Sequence, residues 1–312
     1  MQMSWRSRLQ IARSVRDLMT VQPETVSRQF NNQHFSVLAA SRGKPMFQDI
    51  HAAYMPPFQI IGNLFFVGTK PASVHLIDTG EGLVLLDSGY DALLELVLEN
   101  IHALGFHEKQ IRYILHSHGH IDHIGATKRL SALSGAQTVI GRYDRDYASG
   151  ARDLTYAREL GLRYDTAFLP DLLLDDGDAL QLGNTKIFCL HTPGHTEGTM
   201  SYFFYLNVPN RELIAGTHGG IGMNTMSRAF LQTYGLPLSL RDDFRKGLHR
   251  LRQIHVDVFI PNHQDQWNTT ERYQKKLAGD EDAFVDAAAW PAYLDMAEQR
   301  LNALLEGEQN GL

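Results

Sequence analysis

The hexapeptide His118-Gly119-His120-Ile121-Asp122-His123 sets three imidazoles and a carboxylate in six consecutive residues, and it restricts the fold more than any other stretch of the chain. The apolar run Ile111–Leu115 precedes it and a helical pattern opens at Gly125, so the segment reads as a loop from a strand end to a helix start. Loops of that kind hold functional groups on a rigid scaffold. Imidazole nitrogen and carboxylate oxygen are the donors that zinc, a borderline divalent ion, prefers. Residues two apart in an extended loop can face one ion, which suits His118 and His120, while Asp122 and His123 lie beyond the turn and can face a second. The bland alternative is a solvated polar loop, since the chain carries 15 histidines. Four donors at this spacing argue against it.

Two further histidines follow apolar strand patterns. Thr185–Leu190 reads as a strand and is followed by the loop Thr192-Pro193-Gly194-His195-Thr196-Glu197-Gly198. Val256–Ile260 reads as another, followed by Pro261-Asn262-His263. Taken singly, each histidine is as well explained by a loop hydrogen bond as by a metal. Joined to the hexapeptide, both read as ligands.

The HxHxDH pattern, with His195 and His263 following in order, resembles the signature of the metallo-β-lactamase superfamily. The resemblance runs from about Phe58 to the C-terminal helix. Phe58–Gly68, Ser73–Asp78 and Leu83–Asp87 resemble the family's opening β-meander, with a hairpin turn at Thr79-Gly80-Glu81-Gly82. The resemblance implies an α/β fold, a four-layer αββα sandwich, with residues 51–312 as the catalytic domain and residues 1–50 as a helical extension. It implies two zinc ions, with iron or manganese as compatible substitutes. His118, His120 and His195 would hold one; Asp122, His123 and His263 would hold the other. Asp87, in Asp87-Ser88-Gly89, would orient metal-bound groups from behind. It would also suit an N-cap for the helix expected at Asp91–Leu104.

One departure narrows the resemblance. Glyoxalase II and many lactonases carry a bridging Asp after the strand equivalent to Glu212–Ala215, whereas this chain reads Ala215-Gly216-Thr217-His218-Gly219-Gly220. Thr217 stands in the bridging position, as a serine does in the third subclass of class B β-lactamases. That subclass is also resembled in Val67-Gly68-Thr69, in a helix over Asp242–Ile254 and in the C-terminal helix. The implied reaction is attack by a metal-bound hydroxide on a small cyclic amide, ester or thioester, with Asp122 as the catalytic proton carrier. Lactonase and glyoxalase II-like thioesterase chemistry are the neighbouring readings. A redox or binding protein is the reading from another class, since flavodiiron relatives use similar loops. Those relatives have a bridging Asp and a following flavin domain, and this chain shows neither.

Composition supports a small-molecule enzyme. At 312 residues and 43% apolar content the chain can bury a large core. A net charge of −6 gives no footprint for nucleic acid. The one cysteine, Cys189, excludes an internal disulfide and reads as core. The N-terminal stretch sets Arg6, Arg8, Arg13 and Arg16 among Trp5, Leu9, Ala12 and Val15. It reads as an amphipathic helix without the apolar centre of a signal peptide, which predicts a cytoplasmic protein with no integral membrane association. A homo-oligomer is compatible with such a helix.

The remaining residues of interest are pocket candidates. His116 and His218 flank ligand or bridging positions and suit supporting roles; His191 reads as structural. Tyr143, Tyr147, Tyr156 and Tyr164 in residues 143–170, and Met223, Met226, Phe230 and Tyr234 in residues 219–238, are candidates for a lid over a small-molecule substrate. Gly219 stands where the third subclass has the second serine of a carboxylate-binding pair, which weakens the lactam reading.

Overall fold

The computed structural model describes Phe47 and residues 49–310. The expected N-terminal amphipathic helix lies outside the described residues, whose first helix is the short α1 (Ile50–Ala53).

Twelve strands form two sheets among the described residues. The first contains β1 (Phe58–Ile61), β2 (Leu64–Phe66), β3 (His75–Asp78), β4 (Leu83–Leu86), β5 (Ile111–Leu115), β6 (Gln137–Gly141) and β7 (Leu172–Leu174), in that spatial order. Its first four strands are an antiparallel meander, and β4 through β7 run parallel. The turn from β3 to β4 closes where expected, with Asp78 opposite Leu83 and Gly80 at φ 81°. The second sheet has the order β12 (Val258–Phe259), β11 (Arg211–Thr217), β10 (Met200–Val208), β9 (Thr185–His191), β8 (Ala179–Leu182). It is antiparallel except for the parallel pair β11 and β12.

The period-2 alternation of each strand decides what packs where. Val84 and Leu86 of β4 and Leu64 and Phe66 of β2 face the second sheet, where they meet Ile187, Cys189, Tyr202, Phe204 and Val258. The alternate residues Leu83, Leu85, Phe65 and Leu76 face outward. There they pack on α2 (Leu94–Ala103) through Leu94, Val97 and Ile101, and on α4 (Thr127–Ser134) through Leu130. On the far side, Phe203 and Phe259 of the second sheet pack on α7 (Leu240–Leu251) and α9 (Ala289–Gln309). Helix, sheet, sheet, helix is the αββα sandwich. Phe244, Leu248 and Leu251 on α7 recur at helical spacing and are buried, as the sequence pattern requires.

Some boundaries differ from expectation, each for a local reason. The helix expected at Asp91–Leu104 begins as a 3₁₀ turn, Asp91–Leu93, with Tyr90 as its cap and no side-chain cap bond. Asp87 therefore does not cap it. The helix expected at Asp242–Ile254 starts earlier and ends at Leu251. The apolar run Val256–Ile260 contributes only two paired residues, at the sheet edge beside β11.

This topology places the ends of β4, β5 and β6 side by side on one sheet, facing the ends of β9, β11 and β12 on the other. Asp87 follows β4, His118 to His123 follow β5, His195 follows β9 and His263 follows β12. Functional loops of α/β sheets collect at such carboxyl edges.

Candidate metal centre

The six predicted donors converge in two groups. His118, His120 and His195 bring their ring centroids within 4.4–4.7 Å of one another, and His120 Nδ1 lies 2.9 Å from His195 Nε2. In the other group Asp122 Oδ2 lies 3.2 Å from His123 Nε2 and 3.3 Å from His263 Nε2, and those two nitrogens are 3.3 Å apart. Donors placed tetrahedrally about an ion at ~2.0–2.1 Å stand roughly 3.3 Å from one another. The second group has that spacing. His118 lies against both groups, its ring 4.2 Å from that of His123.

What each ring does with its other nitrogen decides which lone pair faces inward. His263 Nδ1 donates to the Pro71 carbonyl at 2.8 Å, and His195 Nδ1 to the Gly222 carbonyl at 2.9 Å. Carbonyls only accept, so both Nε2 atoms carry lone pairs. His123 Nδ1 lies 2.8 Å from Asp87 Oδ2. Ser117 Oγ donates to Asp87 Oδ2 at 2.8 Å, which leaves it to accept from His118 Nδ1 at 3.1 Å. His118 Nε2 is then a buried acceptor with no partner in the protein. Lone pairs aimed at one another from fixed rings repel unless a cation lies between them, so the three-histidine group fits a divalent metal ion, and the Asp122 and His123 side chains, beside His118, offer donors of the same kind. Outer partners that pin the far nitrogen are the arrangement expected around zinc-binding histidines.

Electrostatics agree. Burial, reinforced by neighbouring imidazoles, drives His118 and His120 well below the usual range, and burial takes His195 down to about 4. These rings stay neutral at pH 7 and available to a metal. Burial pushes the same way at His123, but the Asp122 and Asp87 carboxylates on either side outweigh it and raise that ring to about 10. Burial opposes ionisation of Asp122, and the surrounding imidazoles overcome it, so its carboxyl falls far below the ordinary range. Asp122 is thus the negative charge within the donor groups.

Backbone detail explains why the loops are glycine-rich. A Cβ on Gly220 would come within 2.4 Å of His195 Cδ2, and one on Gly222 within 2.6 Å of His195 Cε1. Gly220 and Gly222 thus lie directly against that ring, and Thr225 Oγ1 donates to the His195 carbonyl at 2.8 Å.

Residues 67–207 match the sequence model of the metallo-beta-lactamase superfamily, a span that includes Asp87, the hexapeptide and His195. Over those residues the chain is similar to a metallo-beta-lactamase superfamily domain. A probable metallo-hydrolase of Burkholderia pseudomallei is 32% identical over 153 residues, 46% of this chain and 50% of that relative. A hydroxyacylglutathione hydrolase of Haemophilus influenzae is 28% identical over 162 residues, 50% of this chain and 71% of that one. This chain thus spans about half of the first relative's length. The fold is that of BJP-1, a subclass B3 metallo-β-lactamase of Bradyrhizobium japonicum, with a TM-score of 0.75 over 83% of this chain and 97% of that one at 24% identity.

Around the donor groups the other predicted residues divide by position. His116 lies behind the donors, wholly buried, with Nε2 3.1 Å from Thr127 Oγ1 and its carbonyl accepting from Tyr202. Thr217 ends β11, buried, and donates to the His218 carbonyl at 3.3 Å. His218 is buried against Phe244 of α7, its Nδ1 accepting from Gly220. Met226 is buried in the α7 and α9 layer, and Met223, partly buried, packs against the same cluster. Tyr156, at φ 61°, stands 5.7 Å from the His120 ring, and Phe230 and Tyr234 continue this aromatic wall outward, where Tyr234 hydrogen-bonds Glu159. His191 bonds the Glu197 carbonyl, and Cys189 is core. No helix among the described residues is long and apolar enough to cross a membrane.

Sequence reasoning missed Asp144. It follows β6, has no exposed surface, and accepts from backbone or hydroxyl groups of both ligand loops. Burial pushes its carboxyl up to about 7 against the pull of those donors. The available signal was its place after a third consecutive strand, in register with Asp87 and the hexapeptide.

A pH test follows from histidines outside the donor groups. Burial lowers His75 to about 4 and His218 to about 3, so both are neutral in the fold, whereas the unfolded chain protonates them near 6.5. Their contribution is complete above pH 6.5 and is lost as pH falls toward 4, on the order of 3 kcal/mol for each across that window. Urea unfolding of the metal-free protein should show stability dropping over the same range, with a shallower drop in His75→Gln. Parallel pH profiles for parent and variant would refute the assignment.

Proposed function

We propose that the chain is a dinuclear zinc hydrolase of small cyclic amides, esters or thioesters. The observation that carries this reading is the inward convergence of five imidazoles and one carboxylate in two groups, with the rings of His118, His123, His195 and His263 pinned from behind. His118, His120 and His195 would hold one ion and Asp122, His123 and His263 the other. Zinc bound there supplies a Lewis acid and a water whose pKa falls from 15.7 to about 7. The chain's own part is orientation and proton handling. Asp122 is the one anion among the six donors and stays ionised, so it can accept a proton at its carboxylate as a nucleophile forms and return it to the leaving group. Asp87 holds His123 and, through Ser117, His118. Tyr156 and Phe230 offer an apolar wall for the substrate's carbon skeleton.

Thr217 and Gly219, in place of a serine pair, favour a lactone, thioester or amide over a β-lactam, and similarity to a hydroxyacylglutathione hydrolase keeps thioesters in the first rank. Metal analysis with a hydrolysis panel of penicillins, cephalosporins, acyl lactones, thioesters and phosphodiesters tests this. Two zinc ions per chain and weak lactam turnover beside faster lactone or thioester cleavage are expected. Iron with a visible chromophore would move the chain toward redox chemistry. Lactam turnover near ~10⁸ M⁻¹s⁻¹ with nothing else cleaved would make it a dedicated lactamase.

A further inference from the structure

We propose that Asp144 is a positioning residue that sets the separation of the two loops supplying the three-histidine group. The proposal rests on the metal-hydrolase reading above. Asp144 Oδ2 accepts from the Gly119 N–H at 2.7 Å and from Thr196 Oγ1 at 2.6 Å, and Oδ1 accepts from the Gly198 N–H at 2.7 Å. Gly119 sits between His118 and His120, and Thr196 directly follows His195. One short, rigid side chain therefore ties the loop after β5 to the loop after β9.

The chemistry of the side chain matters as much as its reach. All three hydrogen-bond partners are neutral donors, and none of them is a cation. Burying a carboxylate on those terms is costly, and a neutral group of similar size would bury more cheaply. Only an acceptor-only group can receive all three donors, since asparagine would turn its NH₂ toward one of them.

A second grip lies alongside. A Cβ on Gly119 would meet Tyr147 Cβ at 2.7 Å, so the Tyr147 ring lies directly on the backbone between His118 and His120. The Tyr147 hydroxyl donates to Glu197 Oε2 at 3.2 Å, and Arg152 binds the same oxygen at 2.5 Å. The short helix α5 (Arg145–Ala148) and the residue before it thus hold both loops at two points. The rings of the other group are oriented differently, by Asp87 and the Pro71 carbonyl. Loss of Asp144 should therefore act on one metal and spare the other.

The test is titration of the metal-free full chain with Co²⁺ and with Zn²⁺, followed by absorption and competition, for the parent, Asp144→Asn, Thr196→Val and Thr196→Ser. Far-UV circular dichroism and Tm are recorded alongside. Two equivalents bound by the parent support the hydrolase reading, and fewer would defeat that reading before the variants are considered. Asp144→Asn is expected to weaken one equivalent about 10–100-fold and leave the other unchanged. Thr196→Val should weaken the same equivalent by less, with Thr196→Ser restoring it. In an active preparation kcat should fall with KM held. Should Asp144→Asn not fold, the two Thr196 variants decide. Parent-like binding in the variants, or equal weakening of both equivalents as from general loosening, would overturn the proposal.

Discussion

Replacing His195 with alanine is expected to abolish hydrolysis and to release one of two metal equivalents, while circular dichroism and the melting transition stay close to those of the parent. The ring lies on a loop after β9, its Nε2 faces His120 Nδ1 at 2.9 Å and its Nδ1 is bonded to Gly222. Removing it takes a donor from the three-histidine group without opening the space between the sheets. The local cost is lost packing against two loop residues, Gly220 and Gly222. Elemental analysis and single-turnover assays check both parts. Two tightly held metals and surviving turnover in the variant would remove His195 from the donor set and with it the dinuclear reading.

The largest expected effect on stability is at Leu248→Ala, about 2–5 kcal/mol for a truncated core leucine. Leu248 has no exposed surface and packs in the cluster that joins α7 to Phe259 of β12 and to Tyr293 and Leu294 of α9. That layer backs the site as well. Phe244, one turn earlier, lies so close to the His195 loop that a Cβ on Gly194 would come within 2.5 Å of it. Differential scanning calorimetry should show Tm lowered by roughly 4–9 °C for a domain of this size. An unchanged transition would mean that the α7 face is not core, and the placement of His263 after β12 would need another explanation.

The six donors are legible in the sequence because their chemistry is rare and their setting simple. Each follows an apolar run that has to be a strand, and strand ends are where polar side chains can leave a core without burying an unsatisfied group. The sandwich is legible in part for the same reason: the β2 to β4 stretch carries apolar residues on both faces, which only a sheet covered on both sides can bury. Boundaries are less legible. Val256–Ile260 promises a five-residue strand, yet only two residues enter the ladder. Met223 reads as a pocket residue and packs against the α7 and α9 cluster, since an apolar side chain in a loop carries no sign of the layer it will join.

Residue types and strand-to-loop spacing thus determined which side chains gather, and the tertiary structure alone decided how each is presented. A histidine offers whichever nitrogen its other nitrogen leaves free, and those partners come from far along the chain: Gly222 for His195, 27 residues away, Asp87 for His123, 36 residues away, and Pro71 for His263, 192 residues away. Asp144 belongs to the same class. In the sequence it is one acid among 35 acidic residues, and it acquires a role only when β6 sets it between two loops whose N–H and O–H groups its carboxylate can receive together.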